Sequence, residues 1–413
     1  MVVSMKKSGF LKSVGCLPAL NLIAVQTSFW FAWSFSNYSA VYLQEGGFDS
    51  SQLGVLNAIS SAVAIFSTVL WGMLSDRINS IRKTLLIVVS SSMVLYFLIP
   101  QISSSLPCWT LLMFLLYPIG NIPRGAAPSL MDNLTVRTCA DRQLNYGVIR
   151  SMASLIFTVG SILAVMLVGR YGVKSSFYAY SLLMLLPVVV LCFCYDPKIP
   201  SQVNSPQEGC PSSVRPQELF GNYYYVMFVI FIALLYIPLA AESSFLIYFM
   251  ADVGIPSTSY STLLALRALM EVPFLVLIVR LRKRIRLKYL IMISCLFFAA
   301  ECILLSLFAH NLAGLLVFGS VFGFGNGIFI GSASLYVYRI APDRLKASAQ
   351  TIYTAASAAS GIIGNIAGGF LYRSIGARPF YLLVGCAILL AAGFFAISFL
   401  PVRGRINPAD EKY

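Results

Sequence analysis

Long apolar runs separated by short polar breaks dominate this chain. A helix needs about 20 mostly apolar residues to cross a bilayer. Twelve stretches qualify: 17–42, 50–74, 84–102, 107–131, 145–169, 173–195, 222–250, 258–280, 288–309, 312–338, 347–372 and 378–400. Inside hydrocarbon every backbone N–H and C=O must be bonded within its own segment, so runs this long are read as helices. The run from Leu17 is too long for a signal-peptide core and no small-x-small cleavage site follows it, so it reads as a retained first helix. The longest polar stretch, 196–220, is rich in Pro, Ser and Gln and reads as a linker. The expected organisation is a six-helix bundle over 1–195, a cytoplasmic linker over 196–220 and a second six-helix bundle over 221–413.

The two halves echo one another. Gly160 and Gly172 are followed by Phe177-Tyr178; Gly364 and Gly376 are followed by Phe380-Tyr381. Each glycine lies 204 residues from its counterpart, and the same offset carries the basic loop at Asp76-Arg77 onto the one at Arg280. An internal repeat of this size fits transporters that hold a site between two similar halves.

Composition agrees with the pattern. Hydrophobic residues make up 58% of the chain and charged ones 11%, against roughly 25% charged in soluble domains. The net charge of +14 would favour nucleic acid in a soluble protein, but its placement says otherwise. With the N-terminus in the cytoplasm, 22 Lys and Arg fall in inside segments and four in outside ones. That is the positive-inside pattern of a multi-pass cell-membrane protein with both termini cytoplasmic. The nine cysteines are scattered without a C-x-x-C pair, and His310 is the one histidine. A metal site or a His-dependent triad is therefore not expected. No GxxxxGK[ST] phosphate loop is present. The chain reads as neither an enzyme nor a cofactor protein, and as a monomer.

Ionisable groups inside the spans carry the chemistry. Each costs about 2.5–3.5 kcal/mol on insertion scales, so it is expected to face inward with a partner. Seven stand out: Arg124, Asp132, Arg150, Glu242, Arg267, Glu271 and Glu301. Asn121, Arg124, Pro128 and Asp132 share one helix face by their spacing. Arg150 sits at similar depth on the next helix, which predicts an Asp132–Arg150 pair or a triad with Arg124. These serve a substrate site or gate, or simply tie helices together. Arg267 and Glu271, four apart, can pair on one face, and Glu242 can reach the same cavity. A buried carboxyl that takes and releases a proton near neutral pH meets the requirement for proton coupling. Glu242, Glu271, Glu301 and Asp132 are the candidates; Glu301 can instead satisfy an arginine or backbone group. Trp30, Trp33, Asn37 and Tyr38 offer aromatic faces and an amide suited to sugars or nucleosides, though aromatics also mark membrane interfaces. Asn326 and Asn365 are polar positions among small residues. The substrate-binding set expected is Asn37, Asn121, Arg124, Arg150, Arg267 and Asn326.

The loop Gly72-Met-Leu-Ser-Asp76-Arg77-Ile-Asn-Ser-Ile-Arg82-Lys83 resembles the G-x-x-x-D-[RK]-x-G-[RK]-[RK] signature of the major facilitator superfamily. Asn79 replaces the usual glycine, and extra spacing precedes the basic pair. The resemblance implies a gate in which Asp76 caps a helix end and Arg77 and Arg82 pair across the bundle. Ala127-Pro128 through Asp132, Tyr146-Gly147-Val-Ile-Arg150, and Arg339-Ile-Ala-Pro342 through Gly368-Gly369-Phe-Leu-Tyr372 resemble the branch holding lactose permease, nucleoside:proton symporters and phenylpropionate permeases. The fold implied is all-α, with twelve transmembrane helices in two pseudo-symmetric bundles. The activity implied is alternating-access transport: proton symport of a sugar, glycoside or nucleoside, or export or facilitation of an organic anion or drug-like compound. The partners implied are a small molecule, a proton and the bilayer. Helix ten reads Phe318-Gly-Ser-Val-Phe-Gly-Phe-Gly325-Asn326, without the His and Glu that couple protons in lactose permease. Helix nine carries Glu301 where relatives often carry arginine. That coupling machinery does not carry over intact.

Overall fold

The computed structural model of the protein describes residues 17–104, 106–144, 146–196, 216–282, 284–342 and 345–399. Most of the expected linker and both chain ends lie outside the described residues. Among those residues helix is the regular secondary structure.

Twelve helical segments follow one another. α1 covers 17–45: Leu17–Ser34 passes through a tight 3-10 turn, Phe35–Tyr38, into Ser39–Glu45. α2 is Ser50–Ile78, α3 Ile81–Leu98, α4 Trp109–Arg142, α5 Tyr146–Tyr171 and α6 Lys174–Cys192, broken at Met184. α7 is Tyr223–Asp252, α8 Tyr260–Leu281, α9 Leu287–Phe308, α10 Leu312–Ile340 with a break at Ser320, α11 Lys346–Ile375 and α12 Ala377–Ile397. Nine helices among the described residues are long and apolar enough to cross a membrane. α4, which carries Arg124 and Asp132, is not among the nine. Phe66, Leu111, Leu182 and Leu390 are 68–75% exposed, an outer surface that suits lipid and not water.

The residues form two compact units. One holds the chain up to Tyr42 and from Val63 through α6; the other holds Leu43–Ala62 and the chain from α7 onward. α2 thus gives its first part to the second unit and its remainder to the first.

Within each unit the same helix pairs meet, shifted by six. α1 packs on α5 and α6, and α3 on α4 and α6; α7 packs on α11 and α12, and α9 on α10 and α12. The repeated glycines explain part of this. A Cβ on Gly160 would lie 3.0 Å from the Phe31 carbonyl oxygen of α1, and one on Gly364 would lie 2.2 Å from the Ile237 carbonyl oxygen of α7. Only glycine permits backbones that close. Gly172 and Gly376 turn the chain into the next helix with φ of +80° and +78°. Their N–H groups donate to the Val168 and Tyr372 carbonyls at 2.8 and 2.9 Å, the same closing bond in both halves.

Candidate functional site

Each unit encloses its own cluster of charged side chains. In the second, Arg267 of α8 is the hub. Its Nη2 donates to Glu242 Oε1 of α7 at 2.7 Å and, more tightly, to Glu301 Oε1 of α9. Its Nε donates to the Gly319 carbonyl at 3.0 Å. That carbonyl is available because α10 breaks here: the Gly323 N–H bonds to Ser320 instead of reaching back to Gly319. The guanidinium also lies 4.6 Å from the Phe322 ring centre. Both carboxylates are wholly buried and Arg267 is 6% exposed. Glu301 Oε2 faces the Cys302 thiol at 3.9 Å, and Glu242 Oε2 has no hydrogen-bond partner among the described residues. The cluster therefore holds one cation and two acids in a dry surround.

The expectation that Arg267 pairs with Glu271 meets a different geometry. Arg267 turns to α7 and α9, while Glu271 accepts from Asn326 Nδ2 of α10 at 2.9 Å. Asn365 of α11 bonds Ser244 of α7 at 2.5 Å.

In the first unit the charges lie along α4. This helix contains Pro118, Pro123 and Pro128, each of which removes a backbone donor. Polar side chains serve the carbonyls of its turns: Asn121 Nδ2 donates to Tyr117 at 2.9 Å, and Ser67 donates to Ile122. Arg124 is held by Ser36 Oγ of α1 at 2.8 Å and Asn121 Oδ1 at 3.3 Å. It lies over Trp33 at 4.4 Å and Tyr96 at 5.1 Å. Two turns further on, Asp132 meets Arg150 of α5 at 3.7 Å. The pair anticipated from the sequence is present; Arg124 does not join it. Arg150 lies over the Trp30 ring at 4.5 Å.

A residue the sequence reading passed over ties this half together. Gln26 is fully buried. Its Nε2 donates to Thr135 of α4, and its Oε1 accepts from the Trp30 indole at 2.9 Å. Gln26, Trp30, Trp33 and Asn37 recur at helical spacing, so a polar residue one turn before Trp30 on the same face was the available signal. Asn37 reaches Ser161 of α5 at 3.4 Å.

The motif loop lies in the first unit. Asp76 and Arg77 are exposed in the last turns of α2, and open space surrounds Gly72. Asn79 has φ +55°, a left-handed conformation that asparagine tolerates best after glycine, so it does the conformational work of the glycine it replaces. The side chain that caps a helix here is Ser80, which accepts from Lys83 N at 3.1 Å and donates to Asp196. Arg82 joins Asp196 at 3.9 Å and the Cys194 carbonyl at 3.1 Å.

Both clusters fall within the span of one family model, the MFS_1 like family, which matches residues 28–383. The chain belongs to the MFS_1 like family. Its relatives include the uncharacterized transporter YwbF of Bacillus subtilis (strain 168), 27% identical over 378 residues and 86% of each chain. The maltose permease of Geobacillus stearothermophilus is 24% identical over 364 residues, 87% of this chain and 86% of that one. Among solved structures, the nucleoside transporter NupG superposes with a TM-score of 0.76 at 18% identity, covering 92% of this chain and 98% of that one. A D-xylose-proton symporter gives 0.69 at 15% identity, covering 95% and 99%. At such identities the likeness to solved structures is one of fold. This MFS_1 like protein is thus a multi-pass membrane transporter of the major facilitator type, and its family and relatives are transporters, not enzymes.

Proposed function

We propose that this protein is a secondary active transporter of the cell membrane that moves a small polar solute together with a proton, by alternating access. The observation that carries the reading is the Glu242–Arg267–Glu301 cluster. One guanidinium balances one carboxylate. A second full charge in the same dry space costs several kcal/mol, and a single proton removes it. A group that is balanced only when protonated, on three helices of a transporter, is suited to sense a proton gradient. The solute end of the reading rests on the first unit, where Trp30, Trp33, Asn37, Asn121, Arg124 and Arg150 put ring faces beside hydrogen-bonding groups. The relatives' names, a maltose permease, a nucleoside transporter and a D-xylose-proton symporter, fit a polar solute of that size.

The test is uptake into liposomes holding the full-length protein, with maltose, D-xylose, uridine and glucuronate as solutes. An inward proton gradient is expected to drive accumulation of at least one of them. Glu301→Gln and Glu242→Gln are expected to keep exchange across the membrane but lose gradient-driven accumulation. Accumulation that ignores the gradient, with both variants behaving as wild type, would sink the reading.

A further inference from the structure

We propose that the transported solute carries one negative charge, received by Arg124, and crosses with one proton, so that loading neutralises the charged cluster of each unit. The proposal rests on the proton-linked reading above and names its substrate class.

Arg124 differs from the other arginines sunk in the spans. Arg150 has Asp132, and Arg267 has two glutamates. Arg124 has the hydroxyls of Ser36 and Tyr180, an asparagine oxygen and two ring faces, and no carboxylate within ion-pair distance among the described residues. Tyr96, Tyr117 and Tyr180 are the titratable groups nearest it, phenols all three. Its Nε proton is buried without an acceptor among the described residues. Ring faces and neutral hydrogen-bond partners stabilise a guanidinium but leave its charge uncancelled inside a span. The unmet remainder is what an anion supplies. A guanidinium with free donors matches a carboxylate edge, and the flanking Trp33 and Tyr96 faces favour an acid carried on a ring.

The charges then close. Arg124, Arg150 and Asp132 leave the first unit one positive charge in surplus; Glu242, Glu301 and Arg267 leave the second one negative charge in surplus. A thiol, Cys302, and a phenol, Tyr381, also face the second cluster. Glu271 is partly exposed and accepts from Asn326. One monoanion and one proton cancel both surpluses, so the loaded carrier moves no net charge.

The experiment pairs acids with their amides. Glucuronate and glucuronamide, benzoate and benzamide, and a panel of further ring acids with their amides are added to the full-length protein in detergent, and Tm is followed. At least one acid is expected to raise Tm by several degrees while its amide does not. Arg124→Gln is expected to weaken that response at least tenfold, and Arg124→Lys to weaken it less. The acid–amide contrast in the wild-type protein needs no variant to fold. Responses to neutral compounds alone, or to none, overturn the proposal. Uptake of the responsive acid is then measured in liposomes with the potential clamped by valinomycin. The rate is expected to follow the proton gradient and to ignore an imposed potential. A rate that follows the potential overturns the one-to-one exchange. Gradient-driven uptake of a neutral sugar that Arg124→Gln leaves intact overturns the anion and spares the proton. Arg124-dependent acid binding with flux blind to the gradient overturns the proton and spares the anion.

Discussion

Arg267 reaches Glu242 at 2.7 Å through the same nitrogen that serves Glu301. Removing this one side chain strands two buried carboxylates. Arg267→Met is expected to cost about 3–5 kcal/mol, the range for breaking a buried ion pair from one side. Protonated carboxyls need no counter-ion, so the loss should shrink as pH falls. Adding Glu242→Gln and Glu301→Gln to the variant should restore much of it. Thermal melting of wild type, the single variant and the triple variant at two pH values checks this; a loss for Arg267→Met that is the same at both rejects the account.

Gln26→Leu leaves the Trp30 indole N–H without its acceptor, while the Thr135 hydroxyl loses one partner and still donates to the Met131 carbonyl at 2.8 Å. Each unsatisfied buried group costs about 1–3 kcal/mol. Because Trp30 underlies Arg150, solute affinity should fall as well, whereas Gln26→Glu keeps an acceptor for the indole and should lose less. Melting temperature and solute titration together separate the two effects.

Two glycines give opposite expectations. A Cβ at Gly364 would sit 2.2 Å from the Ile237 carbonyl oxygen, while at Gly72 it would meet nothing within 4 Å. Gly364→Ala must push α11 off α7 and is expected to cost about 1–3 kcal/mol, as overpacking does. Gly72→Ala should leave stability unchanged or raise it by up to about 1 kcal/mol from helix propensity. Should Gly72→Ala melt like wild type yet transport poorly, its role is in movement and not in packing.

At the motif loop, Asn79→Gly should be tolerated, since φ is +55°. Asn79→Val is expected to lose about 1–2 kcal/mol from the left-handed backbone. Ser80→Ala removes both the helix cap and the bond to Asp196 and should lose about 1 kcal/mol or more. Melting curves of the three variants rank them.

Much of this was legible in the sequence because it depends on length and period. Apolar runs set the helices, and the twin glycine pairs mark the same crossings and corners in both halves. Asp132 and Arg150 were matched by depth on consecutive helices. Partner choice within the second cluster was not legible. Local spacing favours Glu271 for Arg267, but the partners taken lie 25 and 34 residues away on α7 and α9. Which of two carboxylates an arginine meets depends on how each helix is rotated about its axis, and an almost uniformly apolar helix carries little amphipathic signal to fix that. The free carbonyl of Gly319 was hidden for a similar reason, since no proline announces the break at Ser320.

The order of synthesis gives the charged helices unequal starts. When α4 leaves the ribosome, the Ser36, Trp33 and Tyr96 that flank Arg124 have already been made, but the Arg150 that answers Asp132 has not. When α8 emerges, Glu242 exists and Glu301 does not. α4 is not among the helices apolar enough to cross by composition and α8 carries two charges in its apolar run, so each is held by an earlier neighbour until a later one arrives. A nascent chain halted before α5 or α9 carries an ion still waiting for its mate, and those are the lengths at which a membrane quality-control protease should find it.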